Sequence, residues 1–362
     1  MRKENSVVTI QESKLAPWTL PLAVLLLWTI PAQSTAGPVT RPTARQLFEQ
    51  ADFVVKATVS RVTELGEGAN SLSDDPKARS FLFAAEVRPI HVLKGSLPAG
   101  PMTVSFDRGI HRLPVEDLEA GGTYVLFLKA SGSGYVLADP VKSKVVADPD
   151  RPPGQPEGVT AEERLRAEFR GQLDSPDVKV VEAALCALGE LRLSKDDAQD
   201  AARFIAAPNK ALAGSALLAL LESGYYEYLD DAISYMAADA PAESKAPFYA
   251  SKIGGVVRQI TDPAVAARLI GAMDDPKTLV RQCAAYALRQ AKVRAAVPVF
   301  MKGLQDSDFD VRYQCLMGLA ETVEGKDTGE WATSVEPFSK DETKYIRVWQ
   351  DWWEKEGKEK TW

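Results

Sequence analysis

Three stretches of this chain superimpose without a gap: LDSPDVKVVEAALCAL (Leu173–Leu188), MDDPKTLVRQCAAYAL (Met273–Leu288) and LQDSDFDVRYQCLMGL (Leu304–Leu319). Each opens on an apolar residue, turns through Asp, places valine seven positions on and leucine fifteen positions on. The starts at 273 and 304 lie 31 residues apart and those at 173 and 273 lie 100 apart. That interval holds three units of about 33 residues, a length typical of helical repeats. Weaker copies fit the gap, one from Ile205 (IAAPNKALAGSALLAL) and a degenerate one from Met236. A recurring period constrains the fold more than any single motif, because one unit cannot bury its apolar face alone and must stack on its neighbours.

Each unit reads as a helix pair. First helices are expected near 160–173, 196–206, 226–237, 262–274 and 293–305, second helices near 177–192, 209–223, 243–258, 277–291 and 308–324. Thr160 and Glu163 form a capping box at the start, and Asp262-Pro263 and Asp275-Pro276 each read as an N-cap followed by proline at the first helical position, where no amide is needed. Ala183, Ala184, Ala187, Ala284, Ala285, Ala287 and Gly318 are small enough to let neighbouring second helices approach closely. The expectation is an α-α solenoid of about five helix pairs over 160–324.

The motif D-x-x-x-x-V-R recurs at Asp275–Arg281 and Asp306–Arg312, with Leu288 and Leu319 seven beyond each arginine. With the period it resembles the HEAT-repeat proteins, armadillo-like helical arrays that include the short HEAT-like repeats of bilin lyases. That resemblance implies that Asp275 and Asp306 cap turns and that Arg281 and Arg312 tie one unit to the next. The first unit departs from it, since Val181 stands in the arginine position. Beyond the repeats, residues 325–362 carry Trp349, Trp352 and Trp353 on one helical face, and four of the seven tryptophans fall in the last 14 residues. They read as a terminal cap for an open apolar face, the rival being an aromatic anchor for a partner or membrane surface.

The N-terminal half has a different period. Strands are expected in ADFVVKATVSRV (51–62), FLFAAEVRPIHVLKG (81–95, interrupted at Pro89), PMTVSFD (101–107), GTYVLFLK (122–129) and GYVLADP (134–140), with a short helix at ARQLFEQ and a polar loop over 64–80. Five short strands separated by Gly, Pro and Asp turns describe a small antiparallel barrel or sandwich. The segments ADFVVKATV, RPIHVLKG and LEAGGTYVLFL resemble netrin-like OB-fold domains of the metalloproteinase-inhibitor type. Inhibitory members present an N-terminal cysteine to the metal, whereas the first cysteine here is Cys186, so that activity does not carry over. The proline-rich segment 147–159 separates this 37–146 domain from the helices.

Residues 1–36 have the organisation of a secretory signal: Arg2, Lys3 and Lys14, then the apolar run Leu20–Ile30, then small residues ending at Ala36, with cleavage before Gly37. The apolar run is too short to span a bilayer, so no stable membrane span remains after cleavage. The expected location is secreted or periplasmic, as in a bacterial exported protein; the alternative is a protein anchored by the uncleaved signal. A formal charge of −7 argues against a nucleic-acid partner, which needs a basic surface.

Chemistry-bearing residues are sparse. Cys186, Cys283 and Cys315 lie within second helices among Ala and Leu, where a thiol behaves as a small hydrophobe, and no disulfide is expected. His91 and His111 are the two histidines, and FDRGIH brings Asp107 near His111 without a metal-ligand spacing. No catalytic residue, metal or cofactor is expected. The reading is an exported, non-enzymatic two-domain scaffold that recognises another protein through the solenoid surface. The alternatives are an accessory lyase or chromophore-handling protein of the bilin-lyase type, and a protease-inhibitor-like module.

Overall fold

The computed structural model describes residues 41–69, 79–109, 117–132, 134–151, 160–241, 244–325 and 331–362. Ala36 and Gly37, His111 and most of the proline-rich segment lie outside the described residues. Thr43 opens helix α1 (Ala44–Gln50) with a reciprocal cap to Gln46. Six strands follow: β1 (Phe53–Ala69), β2 (Arg79–Lys94), β3 (Met102–Gly109), β4 (Thr123–Ser131), β5 (Gly134–Leu137) and β6 (Lys144–Val146). They pair in the order β1-β2-β3-β5-β4, and Phe53–Thr58 of β1 closes the ring against Thr123–Leu128 of β4. The result is a five-stranded barrel with β6 added to β4, antiparallel throughout except for β3 beside β5. Alternate residues point inward, so Val55, Ala57, Val59, Ala85, Val87, Val104, Leu126 and Leu128 fill the interior without exposure.

Two strand expectations change. The segment expected as a loop over 64–80 belongs in part to β1 and β2, which remain paired out to Ala69 and Arg79. A register shift at Glu64/Gly66, where Gly66 takes φ +117°, lets the polar hairpin continue past the barrel. Pro89 does not interrupt β2: the ladder shifts register between Lys56 and Ala57, directly opposite, which relieves the missing amide. The three-residue β6 was not foreseen, being too short to show a period.

The helical half follows at once. First helices are α2 (Ala161–Gln172), α4 (Lys195–Ala202), α6 (Leu229–Ala237), α8 (Pro263–Ala267) and α10 (Val297–Gly303), and each leads into a second helix: α3 (Val178–Glu190), α5 (Lys210–Glu222), α7 (Ala246–Val257), α9 (Thr278–Gln290) and α11 (Phe309–Thr322). Then come α12 (Val335–Lys340) and α13 (Glu342–Lys355). Among the described residues a β-barrel is therefore followed by twelve α-helices. The copy expected from Met236 falls into register six residues later: Tyr249, Gly254 and Val257 occupy the buried places held by Val280, Ala285 and Leu288 in α9. The inserted loop between α6 and α7 takes up the difference.

Second helices pack on one another in series, α3 on α5, α5 on α7, α7 on α9 and α9 on α11, whereas first helices pack mainly on second helices. Unequal spacing of two layers bends a stack toward the closer one, which makes the second helices its inner side. Small residues set that spacing: a Cβ on Gly189 would lie 2.8 Å from the Cα of Ala219, and one on Gly254 would lie 2.9 Å from Cys283 Sγ.

Barrel and solenoid share a core. Val54, Leu93, Val125 and Phe127 lie in one buried cluster with Leu165 and Phe169 of α2 and Leu185 and Leu188 of α3. Through this seam runs an ion pair removed from solvent: Lys56 on β1 is 0% exposed, Glu168 on α2 is 2% exposed, and they meet at 3.0 Å. Lys56 Nζ also donates to the Arg151 carbonyl at 2.8 Å, and Gln172 Nε2 donates to Glu168 at 2.6 Å. A buried charge needs such partners, since an unpaired one costs several kcal/mol, on the order of 3–5.

Candidate functional site: the inner face of the helical stack

Thirteen residues into each unit stands a residue that the packing leaves half-buried on the second helix: Cys186, Leu218, Gly255, Tyr286 and Met317. Its neighbours one place earlier and two places later are buried against adjacent helices, so the thirteenth place forms a continuous stripe on the inner layer. Four residues further on the series runs Glu190, Glu222, Gln259, Gln290 and Glu321, one helical turn away on the same face except for Gln259, which lies just past the end of α7. The inner face is thus a narrow stripe of apolar and small residues edged by carboxylates and amides, of which Glu190 is paired with Lys142 and Glu321 with Arg289. Burial, and the neighbouring Glu190 charge, push the Glu222 carboxyl above its ordinary value.

At the first three units the face carries a polar cluster. Lys245 Nζ donates to both oxygens of Glu182 at 2.7 and 2.8 Å, and the Tyr249 hydroxyl donates to Glu182 at 2.6 Å. Cys186 Sγ lies 3.6 Å from that hydroxyl. Gly214 of α5 makes the reach from α7 to α3 sterically open, because a Cβ there would stand 2.6 Å from Tyr249 Cβ. Burial pushes the Cys186 thiol up to about 11, so it is protonated at neutral pH, and burial likewise raises the Tyr249 hydroxyl. The cluster orients a carboxylate; it does not generate a thiolate. Sequence reasoning missed it because Glu182 belongs to the first unit while Lys245 and Tyr249 belong to the third.

At the opposite edge the motif residues act between units. Asp275 Oδ1 accepts the Lys277 amide at 2.8 Å, and Arg281 Nη1 donates to the carbonyls of Asp275 and Pro276. Asp275 therefore closes a turn before α9 and is not the N-cap, which is Lys277; this corrects the expectation of Pro276 at the first helical position. The remaining guanidinium nitrogens of Arg281 grip Asp306 of the next unit at 2.7 and 2.9 Å. Arg312 bonds the Asp306 carbonyl at 2.8 Å and grips Glu342 of α13 at 2.6 and 3.1 Å. Burial of Asp306 acts to raise its carboxyl, but the bonds from Arg281 and the Asp308 amide outweigh it and hold the group below its ordinary value. In the first unit, where Val181 replaces the arginine, the tie moves to the first helix: Arg166 bonds buried Asp197 of α4 at 2.9 Å.

Cys283 is fully buried against Gly254, and burial raises its thiol while Arg258 draws it down; Cys315 is equally buried, and both are free thiols. His91 lies on β2 and Asp107 on β3, and no group of three or more metal-ligating side chains occurs among the described residues. Trp349 and Trp352 are 0% and 3% exposed, with Trp353 half-buried; Trp349 Nε1 donates to the Trp331 carbonyl, and Trp362 packs on Trp352 at 5.9 Å. No helix among the described residues is long and apolar enough to cross a membrane.

No protein-family model and no curated protein matches the chain. Among solved structures it is similar to the complex of CpcE and CpcF of phycocyanin lyase from Nostoc sp. PCC7120, at 15% identity and a TM-score of 0.34, over 48% of this chain and 69% of that one. It is also similar to an engineered protein, at 16% identity and a TM-score of 0.29, over 44% of this chain and 79% of that one. None of these is a netrin-like domain. The expectation of a chain that is no enzyme is withdrawn, a solved structure similar to it being a lyase complex.

Proposed function

We propose that the chain is a helical-repeat binding protein that holds a segment of another protein along its inner stripe. The observation that supports this is the register: five units in succession leave one half-buried residue at the same place, flanked by a row of acceptors. Recognition would be spread over several helices, with a rigid array presenting apolar contacts and carboxylates chosen unit by unit. The barrel is read as OB-like, on its closed strand order with β3 parallel to β5. Export is part of the same proposal and rests on the Arg2–Ala36 segment.

The test is site-specific photo-crosslinking in the native host. A probe at Leu218 or Met317 is expected to capture one defined protein, a probe at exposed Gln199 on α4 none, and the probe at Met317 to lose its capture in Leu218→Glu. Equal capture from inner and outer positions overturns the reading. An absorbance titration with a tetrapyrrole separates it from chromophore handling, and the N-terminal residue of the protein from its host, expected to be Gly37, tests export.

A further inference from the structure

The motif of the fourth and fifth units occurs a third time. Asp341–Arg347 reads DETKYIR, with Ile346 in the β-branched place and Arg347 in the place of Arg281 and Arg312. Burial follows that alignment. Trp349 takes the place of Cys283, which faces the preceding second helix, and both are 0% exposed. Phe338 of α12 packs as a first helix should, fully buried against Phe309, Tyr313 and Tyr345. Glu342 receives Arg312 as Asp306 receives Arg281. Helices α12 and α13 are thus a sixth unit, grown 35 residues after the fifth where its predecessor came after 31.

This unit differs from the others on one face. Twelve and fifteen residues into the first five units stand Leu185 and Leu188, Leu217 and Leu220, Gly254 and Val257, Ala285 and Leu288, Leu316 and Leu319, all buried in the stack. The sixth unit has Asp351 and Glu354 there, both exposed. Arg347, the retained tie, is exposed as well. We infer that α12–α13 is a copy of the repeat converted into a terminator, in which Asp351 and Glu354 occupy the stacking positions and keep the end of the array from taking up another chain. Two carboxylates that a stacked neighbour would strip of water oppose burial by far more than two leucines favour it. Lys358, which pairs with Glu354 at 2.8 Å, and Arg347 cannot offset that, because both are solvated.

Sedimentation across a range of protein concentrations tests the inference. The parent is expected to keep the mass of one chain, whereas Asp351→Leu/Glu354→Leu shifts toward the mass of two as concentration rises. Asp196→Leu/Gln199→Leu, with the same spacing on exposed α4, is the control and keeps the parent's mass. If the double variant precipitates, Glu354→Leu against Gln199→Leu makes the same comparison, and unchanged amide exchange in α13 shows that the helix is intact. A double variant that stays monomeric overturns the inference, as does a control that associates equally. Association of the parent that is lost in Arg347→Glu also overturns it, by showing an end that is open.

Discussion

The two ends of the helical stack are finished by different means. At the N-terminal end a foreign fold, the barrel, shares a core with α2 and α3 and is pinned by the buried pair of Lys56 and Glu168. At the C-terminal end the stack is covered by an element built on its own motif, held by the partly exposed pair of Arg312 and Glu342. A barrel can only be joined through contacts particular to that seam. A repeat-like end reuses the joint already present between units, so it can be gained or lost by small changes at repeated positions.

The largest expected effect tests the seam. Lys56→Met leaves Glu168 buried without its cation and is expected to destabilise by about 3–5 kcal/mol, whereas Lys56→Met/Glu168→Leu recovers most of that loss. Urea unfolding of both variants decides it; equal loss in the two breaks the claim that the charge itself is the problem. Next come the joints. Arg281→Ala and Arg312→Ala are each expected to cost about 1.5–3 kcal/mol, and Arg347→Ala less than about 0.5. Similar values for all three would remove the distinction between interior joints and the terminal one.

Acid titration separates two carboxylates. Asp306 is held below its ordinary value of 3.8, so its contribution is complete above that pH and is lost as pH falls through the depressed value; Asp306→Asn is expected to flatten the melting-temperature profile there. Glu222 lies above its ordinary value of 4.5, so its ionised form weighs against folding. Glu222→Gln is expected to raise the melting temperature at neutral pH, with the gain vanishing below 4.5. The smallest effect is local. Lys292 follows α9 at φ 49°, where α5 is followed by Gly224 at φ 88°. Lys292→Gly should stabilise by about 0.5–1 kcal/mol in thermal melts.

The solenoid was legible because its signal repeats: three apolar places per unit, copied across Leu173, Ile205, Met273 and Leu304, survive even where one copy drifts. The ties of Arg281 and Arg312 were readable from the resemblance for the same reason. What stayed hidden involves residues that meet once. Nothing in the order of the chain pairs Lys56 with Glu168, 112 residues on, or brings Glu182 of the first unit to Lys245 and Tyr249 of the third. The sixth unit hid behind its tryptophans, which drew the reading toward an aromatic face and away from Asp341 and Arg347. In the barrel, alternation marked the strands, but the hairpin beyond Val62 is polar on both faces and reads as loop until its partner strand is in place.

The inner stripe also has a fixed length. It begins at Cys186 on α3, the helix against which β6 packs, and the sixth unit's equivalent residue, Trp352, lies sealed beneath Trp362 and Lys360. From Cys186 to Met317 on α11, the last open place, lie four helix-to-helix steps of about 8–10 Å, so the open stretch measures roughly 32–40 Å. An extended segment crossing it spans about ten to twelve residues, at about 3.3 Å each. On the proposed reading, a wall at either end would make the face a ruler as well as a surface, sorting what it holds by length.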